Sequence, residues 1–136
     1  MRVYSSELPV KTGKRIELVN ITSKVGEAIR ESKIRDGLVN IFVLHTTTGL
    51  LINEDEPHLR RDLDEMLEKL VPLEAPYKHN RIDDNAHAHL RSILLSHFLT
   101  IPLAGGELKL GTWQSIMLCE FDGPRTRHVI IQVVGE

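Results

Sequence analysis

Leu38-Val39-Asn40-Ile41-Phe42-Val43-Leu44-His45-Thr46 is the stretch on which the fold turns. It is nearly all apolar and rich in β-branched side chains, which predicts a central strand buried on both faces. Upstream, Asp36-Gly37 breaks a helix that carries Val25, Ala28 and Ile29 on one face, with the hydroxyls of Thr22 and Ser23 available as N-caps. Earlier still, Met1 to Val10 and Arg15 to Ile21 read as two strands joined at Thr12-Gly13-Lys14, a hairpin by pattern.

Downstream, Thr47-Thr48-Gly49 interrupts before Leu50-Leu51-Ile52 resumes an extended run. Pro57 suits the first position of a second helix, whose Leu59, Leu63, Met66, Leu67 and Leu70 form a core-facing stripe. Pro72 and Pro76 bound a loop, and a third helix carries Leu90, Ile93, Leu94 and His97 at helical spacing. From Leu99 the chain turns to strands, with Gly105-Gly106 as a hairpin turn, then Gln114 to Phe121 and His128 to Val134. The order β-β-α-β-β-α-α-β-β-β-β predicts one α+β domain over residues 1–136.

Composition narrows the functional classes. A formal net charge of −2 argues against a nucleic-acid wrapper or a polybasic membrane binder. The single cysteine, Cys119, excludes an intramolecular disulfide and fits a reducing compartment. With no apolar run long enough to cross a bilayer and no signal-like N-terminus, the expected location is the cytoplasm.

The chemistry-bearing residues fall in three places. Asp83-Asp84-Asn85-Ala86-His87-Ala88-His89 joins acids to two of the seven histidines. One reading makes Asp84 or Asn85 a helix cap beside satisfied histidines. The other makes the histidines ligands at a helix N-terminus, where the dipole keeps an imidazole neutral. His45 ends the strand on the same face as Val39, Ile41 and Val43, and Thr46-Thr47-Thr48-Gly49 follows it with hydroxyls and free N–H groups suited to an oxyanion or phosphate. Asn53-Glu54-Asp55-Glu56 comes next, acids that the start of a helix also selects. Finally, Gly111-Thr112-Trp113-Gln114 feeds a strand that ends at Asp122-Gly123-Pro124-Arg125-Thr126-Arg127, where an arginine fork suits phosphate.

Taken together, His45-Thr46-Thr47-Thr48-Gly49 to Glu54, Asp83 to Ser92, Gly111 to Gln114 and Asp122 to Arg125 resemble the YjbQ family, also called UPF0047 and secondary thiamine-phosphate synthase enzymes. The resemblance covers essentially the whole chain. It implies an α+β fold with a β-sandwich-like core of mainly antiparallel strands and about three helices, assembled as a homotrimer. It further implies a weak thiamine phosphate synthase activity, joining a pyrimidine pyrophosphate to a thiazole phosphate.

On that reading His45, Glu54, Asp84 and His89 are the catalytic set. Thr46, Thr47, Thr48, Asn53, Trp113, Gln114 and Arg125 bind a small phosphorylated substrate. His45, His87 and His89 hold a divalent metal, with His79 as the alternate ligand. Imidazoles favour Zn²⁺ or another transition metal, whereas the synthase reaction calls for Mg²⁺, which prefers oxygen. Two other readings stand beside it: a metal-dependent hydrolase of a small phosphate or amide ester, and a non-catalytic trimer that binds an anion or a partner.

Overall fold

In the computed structural model, which describes residues 1–136, strand β3 (Gly37–Val43) is the middle of five. The first sheet has the order β1-β8-β3-β5-β6, where β1 is Arg2–Lys11, β5 Phe98–Ala104, β6 Glu107–Leu108 and β8 Thr126–Gly135. The second has the order β2-β7-β4, from Glu17–Asn20, Ser115–Glu120 and Thr48–Asn53. All pairings are antiparallel. Helices α1 (Thr22–Ser32), α2 (Pro57–Leu70) and α3 (Ala86–Leu94) and a short 3-10 turn at Lys78–Arg81 complete the α+β fold.

The main core lies between the sheets. Val39, Ile41 and Val43 of β3 meet Ile101, Val129, Ile131, Leu50, Ile116 and Leu118, and Val25, Ala28 and Ile29 of α1 seal one side as the spacing predicts. A smaller cluster of Leu67, Ala88, Cys119 and Phe121 sits on the other face of the three-stranded sheet, beneath α2 and α3.

Several expectations are corrected. The first two strands do not form a hairpin: β1 pairs with β8 and β2 with β7, so the turn at Thr12-Gly13 crosses from one sheet to the other. Thr22 is already inside α1 and caps nothing; its Oγ1 accepts instead from the Ile116 N–H (2.8 Å). Strand β3 is buried on one face only, with Leu38 52% and Phe42 40% exposed on the other. Its continuous apolar run therefore marks a face that another layer of this chain does not cover. The α3 stripe is reversed as well. Leu90, Ile93 and Leu94 point outward, while His87, Ala88, Arg91 and Ser92 point in. Arg91 is held there by Nε and Nη2 bonds to the Val71 carbonyl (3.0 and 2.9 Å) and by Glu68 (3.0 Å). Those bonds satisfy the guanidinium that the turn of the helix would otherwise bury unpaired. On α2 only Leu67 of the expected stripe is fully buried.

Candidate functional site

Register divides the expected site in two. β4 and β7 pair Thr48 with Glu120 at one end and Asn53 with Ser115 at the other. The ends are five residues apart, about 17 Å at strand rise. His45, Thr46, Thr47, Thr48 and Arg125 belong to the first end, whereas Asn53, Glu54, Trp113 and Gln114 belong to the second.

The first end is built around an ion pair that sequence reading missed. Glu120 points into the sandwich and is paired with Arg127 of β8, both sealed from solvent. Arg127 Nε donates to Glu120 Oε2 at 2.7 Å and its Nη2 donates to Thr47 Oγ1 at 2.8 Å. The Thr12 hydroxyl lies 2.9 Å from Glu120 Oε2 and accepts from the Arg125 N–H at 3.0 Å, and the Asp122 N–H donates to Glu120 Oε1 at 2.9 Å. Burial alone would raise the Glu120 pKa, but Arg127, the Asp122 N–H and Thr12 together hold it below the ordinary carboxylate value. Such a pair is costly to desolvate and is tolerable only when every lone pair is matched, as here. Its effect is positional: it locks the threonine loop to the 122–125 turn. The available signal was a charged residue inside the apolar run Ile116 to Phe121 followed by an arginine seven residues on. Arg127 is thus an internal counter-ion and no surface fork for phosphate.

Around this lock, His45 lies just past β3, half-buried. Its Nε2 accepts from the His128 N–H at 2.9 Å, which leaves Nδ1 to carry the proton, and the two rings stack at 5.9 Å. Burial, then the charges of Arg127, His128 and Arg125, lower the His45 pKa, with Glu120 opposing. Thr46 is exposed. Arg125 is half exposed, its Nε donating to the Asp122 carbonyl (2.9 Å) and its Nη2 to the Asp122 carboxylate (3.3 Å). The Nδ1–H of His45, the hydroxyl of Thr46 and the Nη1 edge of Arg125 are the donors of this end, with carboxylates beside them: Glu7 lies 3.1 Å from His128 Nδ1 and Asp122 holds Arg125.

The histidine-rich stretch connects here through Asp122, whose Oδ2 also accepts from Asn85 Nδ2 (2.9 Å). Asn85 Oδ1 then meets His79 Nε2 (3.0 Å), and His79 stands edge-on to His89 at 4.9 Å in a shallow cleft of about 350 Å³. His87 is fully buried, and neither ring nitrogen makes a hydrogen bond of normal geometry, although the Phe121 backbone stands close enough to oppose the fall in its pKa. Burial, Arg91 and Arg15 lower its pKa. Neither Asp84 nor Asn85 caps α3 with its side chain. Asn80 of the preceding turn does so, accepting from the Ala86 N–H at 3.0 Å. Asp84 is exposed toward Arg15.

No three His, Cys, Asp or Glu side chains stand together to hold a metal ion. His45, His87 and His89 therefore do not form one ligand set within the chain: His87 is enclosed, while His45 faces His128 and His89 faces His79. Within one chain these residues assemble no Zn²⁺ or Mg²⁺ ligand set. At the far end, Asn53 Oδ1 takes the Glu54 N–H (2.7 Å), Gln114 Oε1 takes the Gly111 N–H (2.8 Å) and Trp113 is 72% exposed. Glu56 caps α2 by accepting from the Leu59 N–H at 2.6 Å, the structural role that its position before Pro57 favours.

Residues 6–136 match the family model described as UPF0047 protein YjbQ-like. A UPF0047 protein of Methanothermobacter thermautotrophicus is 47% identical over 136 residues, covering 100% of this chain and 95% of its own. Another, from Archaeoglobus fulgidus, is 49% identical over 94% of this chain and 99% of its own. A crystal structure from Sulfolobus solfataricus, described as a YbjQ-like protein of unknown function, superposes with a TM-score of 0.96 at 40% identity and covers 99% of both chains. These relatives carry a family name and no reaction. The expectation of a thiamine phosphate synthase, and with it the hydrolase reading, is therefore corrected: the likeness supports no enzymatic activity. No helix is long and apolar enough to cross a membrane. By family model, sequence and fold alike, the chain belongs to the YjbQ-like UPF0047 family.

Proposed function

We propose that this chain is a homo-oligomeric binding protein for a small anion bearing phosphate or carboxylate oxygens, with no reaction assigned to it. The carrying observation is the donor edge at His45. Its neutral Nδ1–H, the Thr46 hydroxyl and the Arg125 guanidinium are the donors there, and burial first, then the charges of Arg127, His128 and Arg125, lower the His45 pKa. The charge part of that shift, unlike the burial part, favours an anion. Asp122 takes the Nε–H and an Nη2–H of Arg125, which leaves the Nη1 N–H groups for an anion.

The oligomer is the reading of the uncovered face of the five-stranded sheet. Across β1, β8, β3 and β5 this face presents the rows Val3–Val134–Leu38–Pro102 and Glu7–Ile130–Phe42–Phe98. Between them runs a polar row in which Gln132 donates to Ser5 (3.0 Å) and Thr100 to Asn40 (3.2 Å). A largely apolar face whose polar row is partly paired within itself suits burial against a second copy. The trimer that the family resemblance implies is the expected state.

Titration with pyrophosphate and inorganic phosphate, read by calorimetry, tests the binding. We expect saturable binding to the wild type and a loss of about tenfold or more for Arg125→Ala, the worth of a charge-assisted hydrogen bond. No saturation with either ion, or equal affinity of Arg125→Ala, overturns the proposal.

A further inference from the structure

Helix α2 does not close on the three-stranded sheet along its whole length. Leu67, 1% exposed, seats its C-terminal half. Arg60 ties its N-terminal half through Nε to Asp55 (2.5 Å) and through Nη1 to the Leu18 carbonyl (2.9 Å). Between these anchors lies a cleft of about 260 Å³, just below the usual size of ligand sites and suited only to a small occupant. Leu18, Leu51 and Met117 of three adjacent strands form its floor, and Leu59, Leu63 and Met66 of the helix its wall. Leu59 is 37% and Met66 47% exposed, so apolar area at a concavity is left uncovered. Met66 of the wall and Met117 of the floor are adaptable side chains that follow the shape of an occupant.

The charged groups choose the occupant. Arg60 is the cation of the lining, and Asp55 already neutralises it. Glu54 and Asp62 also line the cleft, and neither carboxylate has a hydrogen-bond or ion-pair partner. An apolar hollow edged by two uncommitted carboxylates complements a small apolar molecule with a protonated amine. An acid of the same shape would bring a third negative charge to the rim.

We infer that the cleft between α2 and the three-stranded sheet is a binding site for a small apolar amine, its body against Leu51, Leu63 and Met117 and its ammonium at Glu54 and Asp62. It is independent of the anion edge. Glu54 follows the Asn53 end of β4, and His45 precedes the Thr48 end, so the two lie on opposite sides of the sheet's length.

Calorimetry of the full chain with 2-phenylethylamine, 2-phenylethanol and 3-phenylpropanoate tests it. The three probes share a ring and differ at the head. We expect the amine to bind saturably at millimolar concentrations, about tenfold tighter than the alcohol, with the acid weakest. Glu54→Gln with Asp62→Asn brings the amine down to the affinity of the alcohol. Leu63→Trp fills the hollow and removes binding of all three. Should that variant fail to fold, Met66→Trp at the more open wall serves the same purpose. Equal affinity of the three probes, no saturation by the amine, or an unchanged amine affinity in the Gln/Asn variant each overturns the inference. Pyrophosphate binding is unaffected by any of these variants, which keeps this outcome separate from that of the anion edge.

Discussion

Glu120 and Arg127 form an ion pair sealed from solvent, and every neighbour that completes it belongs to a segment bordering the His45 edge: Thr12, Thr47 and the Asp122 N–H. The pair is therefore the structural support of that edge. Removing one partner leaves the other buried and uncompensated, so Arg127→Met should cost about 3–5 kcal/mol. Replacing both, with Glu120→Leu and Arg127→Met, should cost less than Arg127→Met alone, because no charge is then stranded. Urea unfolding of the variants measures both values. The pH dependence has a definite sign. Arg127 and the N–H donors hold the folded-state pKa of Glu120 below its ordinary value of 4.5. The pair's contribution is thus complete above that value and is lost as pH falls through the folded pKa. Stability of the wild type should drop on acidification below about pH 4.5, and Arg127→Met should lose that part of the slope.

His87 presents the opposite case, a buried polar side chain with no hydrogen bond of normal geometry and only the Phe121 backbone near its ring. An unsatisfied buried group costs about 1–3 kcal/mol. His87→Leu, which fills similar space without polar atoms, should be neutral or stabilising by about 1 kcal/mol at pH 7.5. Burial, Arg91 and Arg15 lower the pKa from 6.5, so below that pH the unfolded chain binds a proton that the folded one refuses. Stability then falls as pH drops below 6.5, and His87→Leu should flatten that fall. Unfolding midpoints at pH 7.5 and pH 5.5 decide it. A variant less stable than wild type at both values would mean that the ring makes a bond of its own.

The family and the α+β class were readable because long apolar runs, Gly-rich turns and fixed motifs are local signals. What could not be read was the direction in which each apolar face points. The run at β3 predicts burial on two faces, yet Leu38 and Phe42 are open because no layer of this chain lies over them. In α3 the leucine and isoleucine stripe predicts an inward face. The inward face instead follows Arg91, whose bonds to Val71 and Glu68 fix the rotation of the helix. The site was legible in its parts but not in its joins. Histidine and acid spacing cannot show that Asn53 and Thr48 sit at opposite ends of one strand, since register is a property of the pairing with β7. Nor does local propensity show that Arg127 is an internal counter-ion. That depends on Glu120, Thr12 and Thr47 arriving from three other segments.

The open sheet face gives a direct test of assembly. Phe42 lies in the row Glu7–Ile130–Phe42–Phe98, in the middle strand of the sheet. A glutamate there exchanges an apolar contact for a charge that must be desolvated in the oligomer but stays solvated in the free chain. If the proposed trimer forms through this face, Phe42→Glu should reduce the mass seen by light scattering from three times the 15.4 kDa chain to a single chain. Its circular dichroism should be unchanged, since the inward residues of β3 are untouched. A variant that keeps the wild-type mass places the interface on another surface, with the outward Leu90, Ile93 and Leu94 of α3 next in line.

His45 links the anion edge to pH. The His128 N–H donates to Nε2, so the neutral ring carries its proton on Nδ1 and turns a donor outward. Protonating the ring would set a donor against a donor, and burial with Arg127, His128 and Arg125 opposes it further. Nitrogen-15 NMR of the ring should show the Nδ1–H tautomer, less protonated at pH 6.5 than an ordinary histidine, which is half protonated there. A bound anion adds the charge that would favour protonation, so pyrophosphate should raise the His45 pKa. By linkage, binding should tighten as pH falls through the range in which His45 titrates. In Arg125→Ala the free-protein pKa of His45 should rise, since one opposing charge is gone, and the shift on adding pyrophosphate should shrink with the affinity. A titration curve for His45 that does not move under saturating pyrophosphate would put the anion elsewhere on the molecule.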